Sequence, residues 1–450
     1  MRLPRLVKSS AILVGIPVAV VGFREHDLVI RNSQLSDRSP REVLGTPLAT
    51  DATRWYRLAR PVIFFLTPDP EIAHKAVVIA GRFIGAVSLW SDRIHHGLRC
   101  LGYRYASIFT GPSVLRRPPA GAETLTRLSQ TVNGLHYAVP FGISAGFDKN
   151  AHLVDFFSNC KLSLGLAEMG SVSYLPWAGN AKPRLFRLPE DQGIINRMGL
   201  NNEGAVEVAN RISESRLVMK RNCATKLGIN ITKTPDATIE GSEAVDDIFK
   251  SFSFMRHIDN LSWITLNISC PNTAEGKTFE DPQALGDLLK KLRKDLKKSD
   301  PQIWLKLAPL PATAGWEPRI AEMLSVAKQN DVRTLVIANT VADRLLDLKS
   351  DSLVLAERGG LSGPPIFTRS IPLINLAFRE GFTVVGVGGV SSAKDAYCLI
   401  RNGASLIQLY TAMVYDGPGI FEDLRNGLER LLVIDGLSNV SQAIGKDVVF

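Results

Sequence analysis

From His136 to the carboxyl terminus, short apolar runs alternate with helix-length amphipathic segments. The runs are Tyr137–Ser144, Leu166–Val172, Lys226–Ile231, Trp263–Ser269, Ile303–Ala308, Thr334–Ala338, Phe382–Val387 and Ser405–Tyr410. Trp263, Ile264, Leu266 and Ile268 show the type: bulky apolar residues that suit a strand buried in a parallel sheet. Eight such runs with helices between them predict an α/β chain closed into a (β/α)8 TIM barrel over residues 134–450. An open, doubly wound sheet is the alternative, but it usually has fewer strands and a Gly-rich fingerprint after the first.

Before the barrel the pattern is helical. Over Arg54–Trp90, Asp69-Pro70-Glu71 supplies an N-cap acid, a proline at the first helical position and a second acid at the positive helix end. Val62–Leu66 and Ala76–Leu89 make the pair of helices unusually apolar, suited either to packing on the barrel or to lying on a membrane and admitting an apolar substrate. Ser91–Asn133, with Arg116–Pro119, shows little periodicity and is expected to be a loop-rich connector, so residues 51–133 form a small helical cap plus connector. Residues 1–50 are expected to be a targeting leader, possible anchor and linker. Arg2, Arg5 and Lys8 precede the apolar run Ala11–Phe23, and no acid appears before Glu25. That composition suits a mitochondrial leader, against a secretory signal or an unstructured tail. The run is short for a membrane span of about 20 residues, and Gly15 and Pro17 weaken it.

Charge and cysteine usage narrow the partners. The net charge of +9 suits an anionic partner or membrane surface, yet the basic residues are scattered and no nucleic-acid recognition motif is present. Cys100, Cys160, Cys223, Cys270 and Cys398 form no CxxC or Cys/His ligand set, so neither a metal site nor a disulfide framework is expected.

Candidate chemistry collects at the carboxyl ends of the runs, the face where barrel active sites sit. Ser144-Ala145-Gly146-Phe147-Asp148-Lys149 follows the first run and Gly170-Ser171 ends the second. Asn230, Asn267 with Cys270, Lys306, Asn339-Thr340, Gly388-Gly389 and Tyr410-Thr411 occupy the other six ends. Thr265–Thr273 is the centre of this set: Asn267 and Asn272 bracket the thiol of Cys270, which is either a base or an inert buried cysteine. Gly386–Ser392 and Gly359–Gly363 offer backbone N–H groups for a phosphate. Lys306 is either a Schiff-base nucleophile or a fixed cation beside a cofactor that becomes anionic, and the phosphate signals favour the second.

Seven ordered motifs carry a family resemblance: Gly-Ile-Ser-Ala-Gly-Phe-Asp-Lys (142–149), Pro-Arg-Leu-Phe-Arg-Leu-Pro-Glu-Asp-Gln (183–192), Ile-Asn-Arg-Met-Gly-Leu-Asn (195–201), Asn-Ile-Ser-Cys-Pro-Asn-Thr (267–273), Gly-Gly-Leu-Ser-Gly (359–363), Gly-Val-Gly-Gly-Val-Ser-Ser (386–392) and Gln-Leu-Tyr-Thr-Ala (408–412). With Asp69–His74 added, the chain resembles dihydroorotate dehydrogenase of the membrane-bound, quinone-dependent class 2, with Cys270 where that class places a serine base. The resemblance implies FMN held by Ala145, Gly146, Ser171, Asn230, Lys306, Ser362, Gly363, Gly388, Gly389, Tyr410 and Thr411. It implies dihydroorotate and orotate held by Lys149, Asn196, Asn267, Asn272, Asn339 and Thr340. Cys270 would be the base that takes the C5 proton, Lys306 would steady the reduced flavin, and His74 and Arg187 would line the route of a membrane quinone at the mitochondrial inner membrane. The cysteine also leaves open a soluble acceptor such as fumarate, or a diverged relative acting on another heterocycle.

Overall fold

The alternating runs close into a barrel. The computed structural model describes residues 49–91, 126–159, 164–215, 225–269, 278–294, 296–310, 317–343 and 347–449. Along the chain, β1 (Gln130–Val132) and β2 (Leu135–Tyr137) form a hairpin. Then β3 (Phe141–Ile143), β4 (Leu166–Val172), β5 (Leu185–Leu188), β6 (Gly193–Asn196), β7 (Lys226–Ile231), β8 (Leu261–Asn267) and β9 (Gln302–Leu307) follow. The last four strands are β10 (Thr334–Ile337), β11 (Gly360–Ser362), β12 (Thr383–Val387) and β13 (Ala404–Leu409). Strands β3, β4, β7, β8, β9, β10, β12 and β13 close in that order, every pair parallel. Each of the eight predicted runs supplies one barrel strand.

Side chains alternate across each strand, so residues two apart share the barrel interior. Leu166, Trp263, Trp304, Val336, Val385 and Leu406 fill the lower interior. The indoles of Trp263 and Trp304 stack with centroids 4.2 Å apart at 9°. Gly228 makes room for them: a Cβ there would lie 1.9 Å from the Trp263 ring. Two residues further along the strands the interior turns polar, with Glu168, Asn230, Thr265, Lys306 and Gln408 all buried. The apolar floor therefore supports a polar upper layer, and the carboxyl ends above it form the site.

Two segments differ from the sequence expectation. Gln130–Val132 is not part of a loop-rich connector, and the Tyr137–Ser144 run is broken. The Asn133-Gly134 pair, with φ of 48° and 79°, makes the tight hairpin turn such pairs favour. Leu135–Tyr137 folds back on Gln130–Val132, leaving only Phe141–Ile143 for the barrel. Val132, Leu135 and Tyr137 plug the barrel floor. The second difference is an extra antiparallel sheet, β11-β6-β5, built from the 183–201 and 359–363 motifs.

The cap is two helices, α1 (Asp51–Leu66) and α2 (Pro70–Ser91). Asp69 starts α2 as predicted, its carboxylate accepting from the Glu71 N–H at 2.8 Å. One face of α1 docks on the barrel: Tyr56 donates to the Val414 carbonyl (3.0 Å), Arg57 to Asp416 (2.7 Å) and Arg60 to the Tyr415 carbonyl (2.8 Å). The other face, with Trp55, Leu58, Val62 and Phe65 at helical spacing, is exposed, Phe65 at 84%. On α2, Ile72, Val77, Ile79 and Phe83 are exposed too. No helix among the described residues is long and apolar enough to cross a membrane. Residues 1–23, expected to be a leader, and the Arg116–Pro119 stretch lie outside the described residues.

Candidate active site

One cleft opens over the carboxyl ends of the barrel strands, with about 1300 Å³ of space counting its open mouth. The segment after β3 brings Ala145, Gly146 and Lys149 to its wall, and β4 brings Ser171. Asn267 and Lys306 rise from the adjacent strands β8 and β9, where they are register partners. Asn339 and Thr340 follow β10, Gly388 and Gly389 follow β12, and Tyr410 and Thr411 follow β13. Asn196, Ser362 and Gly363 enter from the β11-β6-β5 sheet, and His74 from α2. Residues far apart in the chain thus converge because each stands at the same end of a parallel strand.

The predicted residues do not all stand in the wall. Asn230 is fully buried behind Ser171, whose hydroxyl donates to Asn230 Oδ1 at 2.5 Å. Arg187, on β5, lies outside the cleft lining and reaches across to α1. Its guanidinium donates to the Thr67 carbonyl at 2.8 Å and sits 4.1 Å over the Phe64 ring. Cys270 and Asn272 lie outside the described residues.

The cleft has a cradle and a polar wall. Gly363, Gly388 and Gly389 have φ of 102°, 126° and 75°, a backbone region that side chains disfavour. A Cβ on Gly389 would meet Phe367 Cα at 2.7 Å and the Gly363 carbonyl at 2.9 Å. Thr411 donates to Ser362 Oγ at 2.9 Å, which donates to the Ile194 carbonyl at 3.3 Å, tying sheet to barrel beside the cradle. On the opposite wall, Asn339 Nδ2 donates to the Ser269 carbonyl (2.8 Å) and approaches Asn267 Oδ1 (3.4 Å). Thr340 N–H donates to Asn339 Oδ1 at 2.9 Å. Amides held on one side by protein offer their remaining donors and acceptors to a ligand with both kinds of atom on its edge.

Aromatic rings close the end under the cap. His74 packs edge-on against Phe147 at 5.1 Å and stacks on Tyr410 at 6.5 Å. Burial, with the Lys149 cation beside it, pulls the imidazole down to about 4, so it is neutral at physiological pH. Burial likewise pushes the Tyr410 phenol up to about 12.

Several supporting residues escaped sequence reasoning. Glu168, inside the barrel under Ser171, accepts from Asn230 Nδ2 (2.8 Å), Gln408 Nε2 (2.9 Å) and Trp263 Nε1 (3.2 Å). Asp148 is buried and takes the His152 and Leu153 N–H groups at 2.9 and 2.7 Å. Burial raises its carboxyl to about 6 against those bonds, and it fixes the turn that carries Lys149. Glu71, on the cleft's cap side, is 5% exposed and paired bidentately with the buried Arg184, both contacts 3.0 Å. An acid inside the apolar Leu166–Val172 run was the available signal for Glu168.

Comparison with known proteins agrees with this geometry. Residues 127–432 match the family model described as dihydroorotate dehydrogenase. A dihydroorotate dehydrogenase (quinone) of Novosphingobium aromaticivorans is 38% identical over 398 residues, covering 87% of this chain and 99% of the relative. One from Haloarcula marismortui is 37% identical over 324 residues, covering 72% of this chain and 86% of the relative. A solved structure of DHODH from Eimeria tenella in complex with ferulenol superposes with a TM-score of 0.68 at 28% identity, covering 86% of this chain and 98% of that one. All seven motifs fall within residues 127–432, and the chain belongs to the dihydroorotate dehydrogenase family.

Proposed function

We propose that this chain oxidises dihydroorotate to orotate with FMN as its flavin and a membrane quinone as electron acceptor, in pyrimidine biosynthesis. The family is flavin-dependent, and the quinone-dependent relatives cover 87% of this chain. The observation that carries the reading is the cleft itself. It joins a glycine cradle, a buried lysine and a wall of carboxamides.

The residues present fit FMN. Gly363, Gly388, Gly389, Tyr410 and Thr411 would hold its phosphate. Ala145, Gly146, Ser171, Lys306 and Ser362 would line the rest, with Asn230 supporting Ser171 from behind. Bound flavin supplies a two-electron acceptor that a quinone can later discharge. Lys306, 7% exposed, places a fixed cation where negative charge develops, and such a charge acts strongly in a site shielded from water. Lys149, Asn196, Asn267, Asn272, Asn339 and Thr340 would orient a flat ring edged with C=O, N–H and carboxylate, which suits amides plus one cation. Cys270 would take the C5 proton of dihydroorotate; a thiol with a reference pKa of about 8.5 is a workable base near neutrality.

The exposed apolar faces of α1 and α2 support contact with a membrane surface. His74 on α2 and Arg187, which reaches from β5 to α1, would line the quinone's way in. Location at the mitochondrial inner membrane rests on the composition of residues 1–23 alone, and the two quinone-dependent relatives named above, from Novosphingobium aromaticivorans and Haloarcula marismortui, are bacterial and archaeal. Fractionation of cells expressing the full chain tests it: cofractionation with the inner membrane supports the address, and a plasma-membrane or soluble distribution removes it.

The enzymatic test is steady-state orotate formation from dihydroorotate with a ubiquinone analogue or fumarate as sole acceptor. Turnover with the quinone alone supports the proposal. Turnover with fumarate alone means that Cys270 tracks a soluble acceptor, and none with either overturns the substrate.

A further inference from the structure

Strand β6 ends in Asn196, and the chain reverses just beyond it. Gly199 and Leu200 take φ of 71° and 59° in succession. Glycine adopts that region freely, whereas a leucine stays there only where its surroundings hold it. Asn202 does the holding. It is buried, and its Nδ2 donates to the Leu200 carbonyl and to Ser173 Oγ, both at 2.8 Å. Its Oδ1 accepts from the Ser173 and Gly204 N–H groups at 3.2 and 2.9 Å. All four hydrogen bonds open to a carboxamide are thus made. The pinned reversal sets Met198, Gly199, Leu200 and Asn201 in the cleft wall.

Asn201 contrasts with its neighbour. Its Oδ1 is buried and has no hydrogen-bond partner among the described residues. Buried polar atoms of native proteins are paired, so an orphaned acceptor on a cleft-lining residue calls for a donor from whatever fills the cleft. Arg184 does not supply one. Gly179 stands between the two side chains: a Cβ on it would lie 2.8 Å from Asn201 Cβ and 2.7 Å from Arg184 Nη1. Arg184 directs Nε and Nη2 to Glu71, and Nη1 to the Ala178 and Asn180 carbonyls at 2.8 and 2.9 Å.

Dihydroorotate and orotate carry two ring N–H groups, and each needs an acceptor once it leaves water. We infer that Asn201 is a further substrate-binding residue, its Oδ1 accepting one of those ring N–H groups and so selecting rings unsubstituted at that nitrogen. This rests on the functional reading above, which places dihydroorotate or orotate beside Asn196, at the start of the same reversal. Because Asn202 already fixes the Leu200 backbone, the acceptor stands in place before the ligand arrives, and little ordering accompanies binding.

The test titrates orotate calorimetrically into the flavin-loaded full chain and its Asn201→Ala and Asn201→Ser variants, with flavin content measured on each. Orotate isotope-labelled at both ring nitrogens is then followed by NMR in each saturated complex. Asn201→Ala should retain flavin and bind orotate about tenfold more weakly, and Asn201→Ser, whose hydroxyl is too short to reach, should do the same. One ring N–H resonance should move to higher field while the other stays. A merely structural side chain would move both resonances or neither, and either result overturns the inference. Flavin lost with orotate affinity kept assigns the oxygen to the cofactor and overturns it too. Methylation at the contacted nitrogen removes the donor, so of the two N-methylated orotates at least one should bind the parent at least about 100-fold more weakly than orotate. Both binding like orotate overturns the inference even if neither variant folds. A parent that fails to bind orotate overturns the functional reading and this inference with it, whereas a binding parent beside an unaffected Asn201→Ala overturns this inference alone.

Discussion

Replacing Glu71 by Gln tests how the cap is held to the barrel. Glu71 stands in the first turn of α2 and forms the bidentate 3.0 Å pair with Arg184, both side chains under a tenth exposed. Lys182 at 3.3 Å and Lys75 at 3.7 Å add positive charge around the same carboxylate. Hydrogen bonding from Arg184 comes first among the causes that hold the Glu71 carboxyl at about 2, below its ordinary 4.5. At about 1.4 kcal/mol per pKa unit, that difference corresponds to about 3 kcal/mol of folded-state stabilisation. The substitution also leaves Arg184 buried without its anion, a change whose usual cost is about 3–5 kcal/mol. Because the loss is local, it should appear as opening of α2 rather than of the barrel. Hydrogen–deuterium exchange at pH 7 should rise about 100-fold across the first turns of α2 and stay unchanged in β8 and β9. Flavin reduction by dihydroorotate should survive while turnover with quinone falls. In the parent, the folded state binds fewer protons than the unfolded one between the two pKa values. The stabilisation is therefore complete above about pH 4.5 and lost as pH falls through about 2. Unchanged α2 exchange in E71Q would refute the argument.

Other outcomes follow from the same geometry. Gly389→Ala forces a side chain into positive φ and to within 2.7 Å of Phe367 Cα; it should purify with little flavin and weaken FMN binding at least about tenfold, read by fluorescence titration. Lys306→Met should keep flavin but slow its reduction by dihydroorotate about 100-fold or more, measured by anaerobic stopped-flow. Cys270→Ala should slow that step severely while Cys270→Ser retains it, because a hydroxyl is the base that the quinone-dependent class normally uses. His74, depressed by burial from 6.5 to about 4, binds protons more readily in the unfolded chain. It should therefore cost the fold stability as pH falls from about 6.5 to 4, and His74→Gln should flatten that part of a urea-midpoint profile.

The barrel was legible because each of its strands is buried on both faces, and such strands leave continuous apolar runs such as Leu166–Val172 and Trp263–Ser269. Most of the wall was legible too, since polar residues just past those runs have one place to go, the carboxyl face of the barrel. Asn133-Gly134 carries the hairpin's signal, but the strands beside it are only three residues each, too short to show an alternating pattern. The β11-β6-β5 sheet joins segments more than 160 residues apart, a pairing that local pattern cannot show. Glu168 was hidden by its apolar neighbours, for a buried acid is explained only by donors from other strands, here Asn230, Trp263 and Gln408. The family resemblance implies a cofactor contact for Asn230, and the structure places it fully buried, with the Ser171 hydroxyl donating to its Oδ1.

In the proposed reaction dihydroorotate reduces flavin in this cleft and a quinone discharges it. Anaerobic stopped-flow tests it directly: the flavin-loaded protein is mixed with dihydroorotate and then with a ubiquinone analogue or fumarate. The visible flavin band should bleach after the first mix and recover rapidly with the quinone only. Flavin that stays oxidised with dihydroorotate would contradict the substrate, and recovery with fumarate but not quinone would contradict the acceptor.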